Sequence, residues 1–346
     1  MAKNAEITVA PPVDPAALVL PWHHEPWRRL VAQIESDRAP HAVLVTGLPG
    51  IGKDRFAERL AMRLLCEQPR EGGDACRVCR GCVQFAAGTH PDYHRVTLRE
   101  EKKQIVIDQV RDGLVDELQL TSQHGGRKVA LITPADALNR SAANALLKTL
   151  EEPSGQGVLV LVSAHPARLP ATIRSRCQRI ALAPPARADA DAWLRAARVR
   201  EPGLLLGLAG GAPLAAQGLE GSALMPARPQ LLQGLLALVN GQGDVPSVAQ
   251  AWAALPVAVA ADWLQTVVHD LIRVRQLGPA AELVNADLRA ELQSAAHRLD
   301  WRALHRHLDE VMRLRAIADT PVVAQLQWEG VMIAWAERLE SAPINQ

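Results

Sequence analysis

The sequence predicts an α/β domain built on a phosphate-binding loop and a mostly parallel sheet, followed by helical domains. Three observations predict this fold. A glycine-rich loop joins an apolar strand to an amphipathic helix at 41–65, and apolar strands then alternate with helices as far as Ala181. After Met225 only helical periodicity remains. A chain of 346 residues exceeds one ordinary core, which favours two or three domains.

Short apolar segments are the predicted strands of the sheet. Two of them, 129–132 and 158–162, are continuously apolar, which is typical of strands that helices cover on both faces. Apolar residues at helical spacing predict helices over 27–34 and 106–118. The predicted strands are 43–46, 93–98, 129–133, 158–163 and 179–182.

A proline pair marks the predicted end of the α/β domain. Pro184 and Pro185 interrupt strand and helix alike, because proline lacks a backbone N–H and has a fixed φ angle. Later helices are predicted at 188–198, 203–208, 230–239, 260–276, 286–298 and 301–318. We therefore expect a P-loop domain at 1–181, a small helical domain at 182–225 and an all-helical domain at 226–346.

The segment 47–53, Gly-Leu-Pro-Gly-Ile-Gly-Lys, has the composition of a nucleotide-binding loop. Its backbone N–H groups and the following helix N-terminus could cradle phosphates. A working loop continues with Ser or Thr, whose hydroxyl ligates Mg²⁺, but Asp54 stands there. A fortuitous glycine turn is the alternative, which the strand–loop–helix order disfavours. The candidate nucleotide-binding residues are Gly47, Gly50, Gly52 and Lys53.

The acidic pair of a working ATPase is also missing from the predicted sheet. Such a pair ends a second strand, where it organises Mg²⁺ and polarises the attacking water. The matching strand ends in Thr133 and Pro134, and Asp136 lies too far along to be equivalent. Two defects predict a chain with no ATP hydrolysis of its own. Because Lys53 is retained, passive binding of ATP or ADP stays open.

Cysteines cluster within residues 66–82 with the spacing C-x9-C-x2-C-x2-C. Four thiolates satisfy tetrahedral Zn²⁺, and a closed set of four leaves no position for a substrate. The spacing therefore predicts a structural zinc module inserted in the first domain. Disulfides or redox chemistry are the alternative, although the flanking residues are not thioredoxin-like. The predicted ligands are Cys66, Cys76, Cys79 and Cys82; Cys177 is expected to be a small buried residue.

The overall charge gives the chain no general attraction for nucleic acid. Lysine and arginine number 38 against 37 acidic residues, a formal net charge of +1. No apolar run is long enough to span a bilayer, and the N-terminus lacks a secretory signal. We therefore expect a cytoplasmic protein without a membrane partner.

Three segments carry a resemblance to a known family: 87–93 (Ala-Gly-Thr-His-Pro-Asp-Tyr), 142–153 (Ala-Ala-Asn-Ala-Leu-Leu-Lys-Thr-Leu-Glu-Glu-Pro) and 169–177 (Leu-Pro-Ala-Thr-Ile-Arg-Ser-Arg-Cys). With the cysteines they resemble the clamp-loader branch of the AAA+ superfamily. Within that branch, the defective loop and the missing acidic pair resemble the delta-prime family rather than the motor subunits. Leu214 stands where active relatives carry a nucleotide-sensing arginine, which supports the same assignment. The resemblance implies an AAA+ domain, a helical lid and a C-terminal helical collar.

The resemblance also implies a function and a set of partners. A stator of this kind would support ATP-driven loading of a sliding clamp onto primed DNA within DNA polymerase III. Its partners would be motor (tau/gamma) and delta subunits, the clamp, and DNA through the assembled complex. Arg176, in Ser-Arg-Cys, would be an arginine finger for a neighbour's ATP site, although a solvated basic surface is the alternative. The rival functions are an active motor ATPase and a stand-alone zinc-containing nucleic-acid-binding protein.

Overall fold

The computed structural model describes residues 12–153, 156–318 and 324–337. The chain forms two compact units, Met1–Pro185 and Ala186–Gln346. The boundary falls directly after the two prolines that the sequence indicates as a break. The predicted collar and residues 186–225 of the predicted lid lie in the second unit, whereas residues 182–185 belong to the first; the separation of lid and collar into two domains stays a prediction.

The first unit contains a five-stranded parallel sheet with the order β2-β3-β4-β1-β5. In the register of the central pair, Val43 lies beside Val160. The carboxyl ends of β1 and β3 lie on the same edge of the sheet, because all strands run in one direction. The predicted strands are confirmed, and every end agrees within one residue: β1 Ala42–Thr46, β2 Tyr93–Thr97, β3 Lys128–Thr133, β4 Gly157–Ser163 and β5 Gln178–Ala181.

Helices cover both faces of this sheet, as its apolar strands predict. Val43 and Val45 of β1 pack into a cluster with Phe56, whereas Leu44 points to the opposite face and packs with Leu146. The predicted helix over 106–118 forms with a wider π turn at Arg111–Val115 in its middle. The helices are α1 His24–Glu35, α2 Lys53–Leu64, α3 Arg80–Ala86, α4 Ile107–Val110, α5 Asp116–Gln119, α6 Arg140–Glu151 and α7 Ala171–Arg174.

The second unit is helical in all its described residues. Its helices are α8 Arg187–Ala196, α9 Pro202–Leu208, α10 Pro213–Glu220, α11 Arg228–Val239, α12 Val245–Ala253, α13 Val257–Leu277, α14 Arg289–Arg298, α15 Trp301–Ala316 and α16 Ala324–Glu337. The helices α10, α12 and α16 are not among those whose bounds the sequence predicts. In α16 the apolar Leu326 and Ile333 are exposed, so the helix lacks a clean polar face that would reveal its periodicity.

Tryptophans and a buried carboxylate organise the interior of the second unit. The rings of Trp252 and Trp328 lie 5.3 Å apart and are both fully buried. Asp270, also fully buried, accepts hydrogen bonds from the backbone N–H groups of Val284 (3.0 Å) and Asn285 (2.7 Å). These contacts fix the segment after α13 to the core. Among the described helices, none has the length and apolarity needed to traverse a bilayer.

Candidate functional site

The glycine loop joins the end of β1 to the start of α2, as the sequence predicts. Gly52 is the N-cap of α2 and has φ 87°, a left-handed conformation that favours glycine. A Cβ at Gly52 would lie only 2.3 Å from Leu20 Cδ1, so this position also lacks room for a side chain. The loop therefore has the backbone form of a phosphate-binding loop.

Lys53, the first residue of α2, turns its ammonium group back onto the loop. Nζ donates to the Leu48 carbonyl at 2.8 Å, and the residue is 6% exposed. Burial lowers the pKa of Lys53, while the carboxylates of Asp54 and Asp136 act in the opposite direction. The cation that would meet a phosphate is thus already paired within the loop.

The two substituted positions of the predicted nucleotide site contact each other. Thr133 Oγ1, at the carboxyl end of β3, donates to Asp54 Oδ1 at 2.5 Å. Asp54 stands where a metal-ligating hydroxyl belongs, and Thr133 where an acidic residue belongs. Acid and hydroxyl are therefore both present but exchanged, and they satisfy one another. The two residues lie 79 positions apart in the chain, so no local pattern in the sequence indicates this contact.

Asp136 lies near this region but is also engaged. Its Oδ1 accepts hydrogen bonds from Ser163 Oγ at 2.6 Å and from the Ala164 N–H at 3.1 Å, at the end of β4. These contacts use the carboxylate to join the segment after β3 to β4. This geometry agrees with the prediction that Asp136 is not the equivalent of the missing acidic pair.

A segment before α1 holds the glycine loop from outside the sheet. Trp22 Nε1 donates to the Ile51 carbonyl at 2.8 Å, and His23 Nε2 lies 3.1 Å from the same oxygen. The His23 ring packs edge-on against Phe56 with 5.4 Å between centroids. Because His23 is completely buried, desolvation lowers its pKa to about 4. The sequence carries no signal for the role of these two residues.

The four clustered cysteines come together in space. Their Sγ atoms all lie within 4.8 Å of one another. Cys76 and Cys82 are separated by 3.8 Å between sulfurs, and Cys66 and Cys79 by 4.0 Å. Four sulfurs at about 2.3 Å from one tetrahedral ion have edges of about 3.8 Å. The separations are about twice a disulfide bond length of ~2.05 Å, so the group fits a metal ion better than a disulfide pair.

Backbone N–H groups point at these sulfurs and favour thiolates. Cys76 Sγ accepts from the N–H of Cys79 at 3.2 Å and of Val78 at 3.5 Å. Burial opposes ionisation of Cys76, but these hydrogen bonds outweigh it and lower its pKa to about 6. Burial raises the pKa of Cys82, which a bound cation would counter. The cluster can therefore hold a metal ion.

Arg176 lies just after the short helix α7, on an anchored piece of backbone. Its Nη2 pairs with Glu151 Oε1 at 2.7 Å, and its Nη1 donates to the Thr172 carbonyl at 3.1 Å. The side chain is 36% exposed, and Ile173 and Cys177 on either side are buried. The expectation for Cys177 is confirmed, and burial raises its pKa to about 11. The sequence did not indicate the ion pair with Glu151.

His90 and Asp92, directly before β2, make structural contacts. His90 Nδ1 accepts from the Asp92 N–H at 3.1 Å. Asp92 accepts from Ser122 Oγ at 2.9 Å and from the Gln123 N–H at 2.9 Å, and it lies 3.5 Å from Lys128 Nζ. These side chains join the start of β2 to the turn before β3.

Comparisons with known proteins agree with this architecture. The family described as "DNA polymerase III, delta subunit" matches residues 22–186, and its C-terminal counterpart matches residues 222–337. DNA polymerase III subunit delta' of Pseudomonas aeruginosa is 41% identical over 279 residues, covering 80% of this chain and 84% of the relative. The Escherichia coli subunit delta' is 37% identical over 298 residues, covering 85% and 88%. DNA polymerase III subunit tau of Salmonella typhimurium is 37% identical over 140 residues, which is 40% of this chain and 21% of that one.

A five-stranded parallel sheet with a glycine loop, followed by a helical unit, is the architecture over which the models of the DNA polymerase III delta-subunit family match this chain. Its similarity to the two delta' subunits extends over most of each chain. The chain belongs to the delta-prime family of DNA polymerase III subunits. The resemblance drawn from the sequence motifs is thereby confirmed.

Proposed function

We propose that this chain is the stator of a clamp loader, a subunit that completes a neighbour's ATP site without hydrolysing ATP itself. The observation that carries the proposal is the contact between Thr133 and Asp54. It occupies the two positions at which a working site would hold Mg²⁺ and activate water. Lys53 is paired with the Leu48 carbonyl, so nucleotide binding would first have to break an internal hydrogen bond.

Arg176 is the residue through which the stator would act on a neighbouring subunit. A guanidinium placed against a γ-phosphate stabilises the charge that develops in the transition state. Arg176 is partly exposed and lies outside its own chain's glycine loop, as a residue that acts on another subunit should be. The finger would serve a motor subunit of the tau/gamma type.

The cysteine cluster would hold a structural zinc ion through Cys66, Cys76, Cys79 and Cys82. Their thiolate set and mutual distances support zinc over harder cations, which prefer oxygen ligands. The bound ion would tie α3 to the end of α2. Cys82 and Phe85 of α3 pack into the same core cluster as Phe56 of α2.

The proposed partners are those expected of a member of the delta-prime family. In a DNA polymerase III assembly the chain would join motor and delta subunits and help place a sliding clamp on primed DNA. The helices from about residue 226 onward would form its share of the collar. A net charge of +1 makes DNA contact by the isolated chain weak, so DNA would be bound through the complex.

The experiment that tests the proposal is a loader reconstituted with wild-type chain or with Arg176→Ala. Assembly is checked by mass measurement of the intact complex, and ATP turnover is measured with clamp and primed DNA. We expect normal assembly and slower turnover, because one ATP site loses its trans-acting charge. Arg176→Lys should restore little, since an ammonium cannot reproduce the guanidinium fork. Equal turnover with all three chains would refute the role of Arg176.

A further inference from the structure

We propose that Glu151 is a positioning residue, which holds the Arg176 guanidinium in the orientation from which it reaches a neighbouring subunit. The inference rests on the proposed function of Arg176. Glu151 is the last residue of α6, and Arg176 follows α7, so the pair joins the ends of two different helices.

The geometry fixes the guanidinium plane at two atoms. Nη2 meets Glu151 Oε1 at 2.7 Å, and Nη1 donates to the Thr172 carbonyl at 3.1 Å. An arginine has five N–H donors in a planar fork, and these two contacts use two of them. Three donors remain with which the same group can bind a phosphate. Glu151 can therefore hold Arg176 without blocking it.

Both partners stand on backbone that the core holds in place. Leu150, directly before Glu151, is 3% exposed, and Ile173, three residues before Arg176, is fully buried. The Arg176 N–H donates to the Ile173 carbonyl at 3.1 Å, which closes the turn after α7. The remaining conformational freedom of this pair therefore lies in the two side chains, and the ion pair restricts it.

The pair is poorly explained as a device for folding. The Arg176 and Glu151 side chains are 36% and 50% exposed, and exposed ion pairs contribute little to stability. A carboxylate in the last turn of a helix is also disfavoured by the helix dipole, so α6 gains nothing from Glu151 alone. A long arginine side chain does lose considerable rotamer freedom when it is fixed. Fixing it before the neighbour's nucleotide arrives removes that cost from the catalytic step.

The test uses the intact loader reconstituted with Glu151→Gln, which keeps the size of the side chain but removes its charge. We expect the Arg176-dependent part of ATP turnover to fall about two- to fivefold, the range of a single exposed ion pair. Glu152→Gln is the matched control, because Glu152 is the exposed neighbour just beyond the end of α6. The control should turn over ATP at the wild-type rate, and all complexes should have the same mass.

A double variant separates positioning from a general structural effect. If Glu151 acts through Arg176, adding Glu151→Gln to Arg176→Ala should cause no further loss. An equal loss in both backgrounds, an unchanged rate in the single variant, or a faster rate would each overturn the positioning role. If Arg176→Ala itself has no effect, the proposed finger fails, and the positioning role fails with it. If Arg176→Ala slows turnover and Glu151→Gln does not, only the positioning role fails.

Discussion

Acidification should destabilise the first unit through His23, the residue that packs beneath the glycine loop. Its ring is completely buried, Nε2 lies 3.1 Å from the Ile51 carbonyl, and Nδ1 has no partner among the described residues. Desolvation lowers the pKa of His23 to about 4 from an ordinary value of 6.5, and the positive charges of Arg59 and Arg55 act in the same direction. The folded chain therefore keeps this imidazole neutral at a pH at which the unfolded chain protonates it.

The sign and size of the effect follow from proton binding. Between pH 6.5 and about pH 4 the unfolded state binds more protons at His23 than the folded state, so stability falls as the pH falls. Each pH unit in this range costs about 1.4 kcal/mol of unfolding free energy. From pH 7.5 to pH 5.0 the expected loss from His23 is about 2 kcal/mol. His90, whose pKa burial also lowers to about 4, should add a similar loss.

His23→Gln removes the titrating group while keeping an amide donor for the Ile51 carbonyl. The measurement is hydrogen exchange by mass spectrometry in a urea series at pH 7.5 and 5.0, read from peptides of β1 and α2. The variant should lose about 2 kcal/mol less than wild type on acidification. His24→Gln, at the exposed neighbouring position, should behave as wild type. Equal acid sensitivity of wild type and His23→Gln would refute the reasoning.

Three further outcomes are expected. Elemental analysis after dialysis should find one zinc ion per chain. Cys79→Ser should lower the zinc content and speed hydrogen exchange over 66–86, whereas the control Cys177→Ser should keep the metal. Folded protein without metal would contradict the zinc site. The isolated chain should hydrolyse ATP no faster than background, and Lys53→Ala should change nothing; turnover that Lys53→Ala abolishes would indicate a motor. Asp270→Ala should lower the free energy of urea unfolding of the second unit by about 3 kcal/mol, because buried N–H groups lose their acceptor. Asp262→Ala should lower it by under about 1 kcal/mol, since its ion pair with Arg315 is exposed. Equal losses in the two variants would show that burial is not the cause.

The sequence predicts the sheet well because its strands carry their signal locally. Residues 129–132 and 158–162 are apolar without interruption, and both lie inside strands covered on both faces. The proline pair likewise marks the boundary between the units. The cysteine spacing was sufficient to predict a cluster, because a short loop and Cys-x2-Cys turns bring thiols together wherever the module lies.

The contacts that give the candidate sites their chemistry were beyond the sequence. The sequence marks Asp54 and Thr133 as separate departures from a working site but does not indicate that they touch. Only the parallel order of the strands brings the end of β3 beside the start of α2. The pair of Glu151 and Arg176 depends in the same way on how two helices end. In the second unit, the sequence predicts helical periodicity after Met225 without bounds for α12 and α16; in α16 the exposed Leu326 and Ile333 leave no clean polar face.

The hydrogen bond between Thr133 and Asp54 has an evolutionary consequence. Restoring Ser or Thr at position 54 alone would place two hydroxyls together and still supply no acid at β3. Restoring an acid at position 133 alone would set two carboxylates against each other, a repulsive arrangement. Each single reversion is therefore silent or harmful, and only a combined change approaches a working site. Under the proposed stator role, such epistasis would leave no route of single substitutions from this chain to a hydrolytic site.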